Sequence, residues 1–198
     1  MKKLNIGLQF WPWYPVRTTV SYAETALKHY PFEQIWLCDE YQYTDPFTVL
    51  AIIAEKLKVS VGTLVTFVSR NPLYLAQKFA SISELLPEGK EITAGFGPGG
   101  VVQRQVMLGH PASVEMTSEA VKLLRRSFKG EFVELAEFPH LAKRFGFNIE
   151  VRQSFTSLRE REYASVSRQA AAKCSRLPVE KPMDLSALSS TREVLLSR

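Results

Sequence analysis

One device recurs in this chain and limits what it can fold into. Asp45-Pro46 and Asn71-Pro72 each stand between an apolar, extended-type run and a run with helical spacing. A short polar side chain at the N-cap accepts a hydrogen bond from an orphan backbone N–H, and proline suits the next position, where its own N–H would go unpaired. The pattern predicts strands over 4–10, 32–39, 59–68 and 91–97. It predicts helices over 18–30, 45–58, 71–90 and 113–131, with Pro87 and Gly89 closing the third and Gly130 stopping the fourth. The run over 59–68 is β-branched and apolar on both faces, as buried parallel strands are. Four successive strand–helix units predict an α/β protein with a parallel sheet. Two architectures satisfy that: an open doubly wound sheet and a (β/α)8 barrel.

The glycines of EITAGFGPGG bear on the choice. Gly95, Gly97 and Gly100 fit the G-x-G-x-x-G spacing of dinucleotide-binding loops. That fingerprint belongs after the first strand, with an acidic residue ending the next strand about 20 residues on. Here it follows the fourth strand, and the acids at that distance, Glu115 and Glu119, fall in a helical pattern. Glycines at a strand's C-terminal end still let backbone approach a ligand closely. In barrel enzymes that end carries the active site.

Composition removes other classes. The chain has 198 residues, enough for one domain with a sizeable core. Apolar runs are short, so no membrane span is expected, and Pro12 and Pro15 break the N-terminal run before it reads as a secretion signal. Cys38 and Cys174 make no disulfide framework, which suits a reducing cytoplasm. Net charge is +5, without a Lys/Arg stripe interleaved with aromatics, so neither nucleic acid nor membrane is an expected partner. His29, His110 and His140 are scattered among the cysteines without metal-ligand spacing, and no metal site is expected.

The order of five segments carries a resemblance. IGLQF, then FEQIWLCDEYQYTDPFTVLAIIAEKLKVSVGTLVT, then SRNPLYLAQKFASISEL, then EITAGFGPGG, then EAVKLLRRSFKGE resemble the bacterial-luciferase-like superfamily across about residues 4–135. Within it the chain is most similar to the deazaflavin-dependent reductases, such as methylenetetrahydromethanopterin reductase. The resemblance implies part of a TIM barrel, about four βα units long. It implies an oxidoreductase that transfers a hydride to or from a small-molecule substrate, as a reductase or a monooxygenase. Its cofactor would be a deazaflavin coenzyme or FMN, lying across the C-terminal strand ends.

Carried onto this sequence, the resemblance places Gln9 and Phe10 at the end of the first strand and Asp39 at the end of the second. The family often has histidine at the next position; here it is Glu40, which removes the imidazole base of the oxygenating members. Glu40 and Asp39 are the candidate catalytic residues, with Glu40 orienting the substrate. Phe10, Leu64, Val65, Thr66, Gly97, Gly99 and Gly100 are the candidate cofactor-binding residues. The family often carries a bulged, non-prolyl cis peptide in the third strand, which corresponds to Leu64–Val65; it commonly has a small residue where this chain has Leu64.

Blander readings attach to other residues. Asp45 reads as a helix cap, His29 as surface, and His110 as structural in the loop beyond the glycines. Cys38 reads as core or barrel lining, and Phe10–Pro15 as a packed aromatic loop with ring stacking as its alternative role.

The last fifty residues read differently. Residues 149–198 contain none of the 10 glycines, and arginine outnumbers lysine there 7 to 2. The expected division is 1–148, a luciferase-like half-barrel, and 149–198, a non-homologous polar tail. A natural tail and a reading-frame shift near 149 both account for it, the shift more sharply. The rival to a complete catalyst is therefore a non-catalytic, flavin-binding half-barrel. An incomplete barrel would leave its first and fourth strands as open edges. Its inner face, read as Ile6, Leu8, Ile35, Leu37, Val61 and Ala94, would lack an opposing half, so the chain would aggregate or depend on a homo-oligomer for stability.

Overall fold

The computed structural model describes residues 6–100, 112–150 and 152–154. Four parallel strands, β1 (Gly7–Phe10), β2 (Gln34–Leu37), β3 (Ser60–Phe67) and β4 (Ile92–Gly97), lie in the order β1-β2-β3-β4. Helices α1 (Val16–His29), α2 (Pro46–Leu57) and α3 (Pro72–Glu84) connect them, and α4 (Val114–Phe128) follows β4. A doubly wound sheet reverses its strand order at a switch point; this sheet runs in sequence order without reversal, as barrel strands do. Among the described residues, β1 is paired only with β2 and β4 only with β3.

The caps expected from the sequence are made. Asp45 accepts from the Thr48 N–H at 2.9 Å, and Asn71 from the Leu73 N–H at 2.9 Å. Ser113 starts α4 the same way, accepting from the Met116 N–H at 3.1 Å. Helix α1 starts two residues earlier than its spacing suggests, behind Pro15, with no side-chain cap.

The chain continues in regular structure past residue 130. Strand β5 (Phe132–Glu134), a 3-10 turn (Leu135–Glu137), α5 (Pro139–Phe145) and β6 (Arg152–Ser154) follow, and β5 pairs antiparallel with β6. Paired structure thus reaches into the segment read as a tail; residues 155–198, with Cys174, lie outside the described residues.

Two apolar clusters hold these elements. In the larger, Ile35, Leu37 and Val61 of the sheet meet Leu50, Ile53, Leu75 and Phe79 of the helices. Phe47, Phe79 and Phe128 form a run of edge-to-face rings at 5.4 and 5.9 Å, tying α2, α3 and α4 together. The smaller cluster packs Met116, Leu123, Val133, Leu135, Phe138 and Leu141, with Val68 at the end of β3. Phe96 touches both clusters.

This packing corrects the inner-face reading by one residue of strand parity. Ile35, Leu37 and Val61 are fully or almost fully buried under the helices, and Leu8 and Ala94 pack against the same cluster. Ile6 is 45% exposed and belongs to neither face's core. The opposite face carries Gln34, Trp36 and Thr93: Gln34 Nε2 donates to Thr93 Oγ1 at 2.9 Å and to the Val61 carbonyl at 3.1 Å. A period of two separates the faces of a strand but does not say which one the helices cover.

The indole of Trp36 lies between two glycines on that second face. A Cβ at Gly7 would stand 2.5 Å from its Nε1, and one at Gly62 would stand 2.7 Å from Cζ3 and 2.9 Å from the Thr93 carbonyl oxygen. Gly62→Ala forces the indole and a neighbouring strand apart. It is expected to destabilise the protein by about 1–3 kcal/mol, read as a lowered urea midpoint with unchanged slope. An unchanged midpoint would show that the indole moves freely.

Candidate active site at the C-terminal strand ends

The centre of this end is an irregularity in β3. Its register with β4 shifts between Thr63 and Thr66, and the Leu64–Val65 peptide is cis, at the bond the family resemblance singled out. Groups at the end of β1 and just beyond β2 hold both carbonyls of the bulge. Gln9 Nε2 of β1 donates to the Leu64 carbonyl at 3.2 Å, and the Asp39 N–H donates to the Val65 carbonyl at 3.3 Å.

Strand β4 makes room for it. A Cβ on Gly95 would collide with the Thr63 carbonyl, and one on Gly97 would stand 3.2 Å from Val65 Cγ2. The first two glycines of the G-x-G-x-x-G spacing thus let β4 approach a bulged neighbour, and no nucleotide is needed to explain them. Further along, Gly99 takes a left-handed backbone at φ 87°. Leu64 is left 42% exposed at the mouth of this arrangement.

Beside the bulge sits a buried charge. Asp39 has no exposed surface. Its Oδ2 accepts from Arg70 Nε at 2.6 Å and Thr66 Oγ1 at 2.7 Å, and its Oδ1 accepts from Arg70 Nη2 at 2.7 Å. A buried carboxylate is tolerable only with such partners, and the two-point guanidinium contact is the strongest of them. The hydrogen bond to Asp39, chiefly, raises the Arg70 pKa above its ordinary value. The guanidinium also lies 5.7 Å above the Phe47 ring, and its Nη2 is 4.0 Å from Asp45 Oδ1. Lys78 approaches the same ring at 5.2 Å and Asp45 Oδ2 at 4.0 Å.

Next to this clamp stand two groups whose proton affinities burial increases. Glu40 is half-buried; desolvation first, and the charge of Asp39 second, push its carboxyl above the usual range. Burial, then the charges of Glu40 and Asp39, push the Cys38 thiol up to about 11. Cys38 is part of the buried interior, in keeping with its reading as core.

The structure therefore brings together Gln9, Asp39, Leu64, Val65, Thr66, Gly95 and Gly97. Thr66 is fully buried and committed to Asp39, and Phe10 packs against the larger core rather than beside Leu64. His110 lies outside the described residues. Arg70 is the residue the sequence reading missed. It is the one arginine between Arg17 and Arg104, placed just before the α3 cap, and a lone acid ending β2 needs such a partner. The loop after β1 corrects another expectation. Trp11, Trp13 and Tyr14 are 48%, 60% and 44% exposed, not packed inward. Among the described residues no group of three or more metal-type ligands is found, and no helix is long and apolar enough to cross a membrane.

Two outcomes follow from the clamp and the thiol. Arg70→Leu strands the Asp39 charge in the interior and is expected to cost about 3–5 kcal/mol. Asp39→Leu combined with Arg70→Leu is expected to recover part of that loss; additive losses in a double-mutant cycle would mean the two do not act as a pair. For Cys38 the folded pKa lies above the unfolded one. Its contribution is therefore complete below pH 9 and lost as pH rises toward about 11. Cys38→Ala is expected to flatten that alkaline decline in thermal stability; an identical decline in the variant would rule the thiol out as its source.

Comparison with known proteins agrees with this geometry. A model of the luciferase-like monooxygenase family matches residues 15–153. The coenzyme F420-dependent tetrahydromethanopterin reductase of Methanopyrus kandleri superposes with a TM-score of 0.55 at 19% identity, over 65% of this chain and 41% of that one. The oxygenating constituent of 3,6-diketocamphane monooxygenase from Pseudomonas putida, solved with FMN, gives 0.54 at 17% identity, over 80% and 45%. Monooxygenase RslO1 from Streptomyces bottropensis gives 0.54 at 18% identity, over 90% and 69%. At these identities the likeness is one of fold, and the chain spans less than half the length of the first two. The family model covers well over half of the 198 residues, and the chain belongs to the luciferase-like monooxygenase family.

Proposed function

We propose that this chain carries the cofactor-facing half of a flavin- or deazaflavin-dependent oxidoreductase site. The observation that carries the reading is the β3 bulge, with its cis peptide, held by Gln9 and Asp39 and faced by glycines. It presents the apolar Leu64 side chain on a rigid backbone. A planar ring needs such a support: an apolar surface, close backbone approach and no competing charge. Leu64, Val65, Gly97, Gly99 and Gly100 would hold FMN or a deazaflavin coenzyme, which when bound supplies hydride-transfer chemistry.

The chain's own residues supply position and dryness. Asp39, Arg70 and Thr66 fix the bulge. Glu40 stands beside them with a carboxyl whose raised pKa lets it keep a proton further toward neutral pH and donate a hydrogen bond to a substrate oxygen or nitrogen. With a carboxyl there rather than an imidazole, a reductase is favoured over an oxygenating reaction. The free thiol of Cys38 suits a reducing cytoplasm. A second reading, binding without turnover, is favoured by the edges of β1 and β4, which have no second neighbour among the described residues. A homo-oligomer would give those edges partners.

Spectral titration of the purified protein with FMN and with a deazaflavin coenzyme tests the proposal. One of them is expected to bind at one per chain with a shifted visible band, and Leu64→Asp is expected to abolish the shift. No perturbation by either would sink the reading. Once a substrate is in hand, Glu40→Ala is expected to weaken its binding about tenfold and leave cofactor affinity unchanged, as loss of one hydrogen bond does, while Glu40→Gln, whose amide still donates, is expected to keep most of it.

A further inference from the structure

The loop after β1 and the loop after β2 meet at the C-terminal end, beside the proposed cofactor side. Two hydrogen bonds join them: the Thr44 N–H donates to the Pro12 carbonyl at 3.4 Å, and Thr44 Oγ1 donates to the Tyr14 carbonyl at 3.1 Å. Besides Tyr14, which stands edge-to-face with Tyr22, three large rings of this joined pair of loops face solvent: Trp11, Trp13 and Tyr43, at 48%, 60% and 45% exposure. They touch one another. Trp11 and Trp13 have centroids 5.4 Å apart and planes tilted by 32°, and Tyr43 follows at 6.5 Å from Trp13. Three mutually supported rings left in water at a strand-end mouth form an apolar patch of the kind that marks a binding surface.

We propose that Trp11, Trp13 and Tyr43 form a stacking platform for the planar ring system of an uncharged substrate. This rests on the oxidoreductase reading for the reaction, and it names the substrate class. The rings are the reason for a planar ligand: offset stacking on an indole rewards a flat π system beyond the area it covers. The charges are the reason for an uncharged one. Residues 11–15 carry no ionisable group except the Tyr14 phenol, and the acids of the neighbouring loop are Asp39, bound by Arg70, and Glu40 and Asp45. Arg70 and Lys78 already face Asp45 at 4.0 Å each, which among the described residues leaves the exposed Arg17 at the start of α1 as the one nearby cation to set against the Glu40 and Asp45 carboxylates, so the charges give an anion no net attraction. The substrate's ring sits on the β1–β2 side, leaving the bulge side to the cofactor.

The test compares 2-naphthol with decahydro-2-naphthol, which share a carbon skeleton and a hydroxyl and differ in the π system. Equilibrium dialysis of each against the full chain measures affinity, and upfield shifts of the naphthol ring protons report stacking. The aromatic compound is expected to bind at least five-fold more tightly, with upfield shifts. Trp13→Leu, which keeps apolar bulk, and Trp13→Ala are each expected to lose that preference while melting like the parent. Equal binding of the two compounds, naphthol binding unchanged in both variants, or no binding of naphthol overturns the proposal. FMN affinity is expected to be the same in Trp13→Leu and the parent; if FMN and naphthol binding fall together, the platform serves the cofactor and the proposal is wrong. Failure of FMN and of the deazaflavin to bind the parent counts against the oxidoreductase reading alone, since the naphthol comparison does not involve them.

Discussion

The Asp39 carboxylate is the charge on which the strand-end geometry depends. It has no contact with water, and it is satisfied by three side-chain hydrogen bonds from Arg70 and Thr66. Those bonds join the end of β2 to the end of β3 and to the residue that precedes the α3 cap. The backbone N–H of the same residue then holds the bulge through the Val65 carbonyl. Surface pairs do not compare with it. Lys28 and Glu24 also meet at 2.7 Å, but their side chains are 67% and 50% exposed, and solvent screening leaves such a pair contributing little. Burial makes the difference: the clamp is costly to leave half-made, so it fixes the elements that make it.

The sheet separates two tasks by face. One face is apolar and is buried within the described chain, against α1, α2 and α3. The other carries Gln34, Trp36 and Thr93, with glycines where the indole needs room. The main apolar burial of these four units is therefore made between sheet and helices. The stability penalty expected for an incomplete barrel shrinks accordingly, because the face a second half would cover is built from polar groups and one indole.

Architecture was legible where one local cause sufficed. Asp45 and Asn71 each cap a helix, and Pro46 and Pro72 each open one, because those residues carry their preference in their own chemistry. The cis bond was located by resemblance, since nothing in Leu64 or Val65 announces it. What the residues could not reveal were relations across strands. Gly95 and Gly97 read as a nucleotide signature until the Thr63 carbonyl and Val65 are seen against them. The inner face was misassigned because alternation is blind to which side the helices cover. Arg70 was missed because its partner lies 31 residues away. The aromatic loop was read as packed because ring content argues for burial on average, while the loop's own geometry turns those rings outward.

Two neighbouring acids, Asp39 and Glu40, show how a fold assigns different work to similar side chains. Asp39 lies inside with no exposed surface, and both its oxygens accept hydrogen bonds from Arg70 and Thr66. Glu40 lies one residue on, half-buried, with desolvation and the charge of Asp39 both favouring its protonated form. The second of these effects comes from the carboxylate that Arg70 holds in place. The clamp thus does more than hold a bulge in place: the Asp39 carboxylate it positions adds to desolvation in biasing Glu40 toward the form that can donate a hydrogen bond. Arg70 need not touch a substrate to influence how one is held.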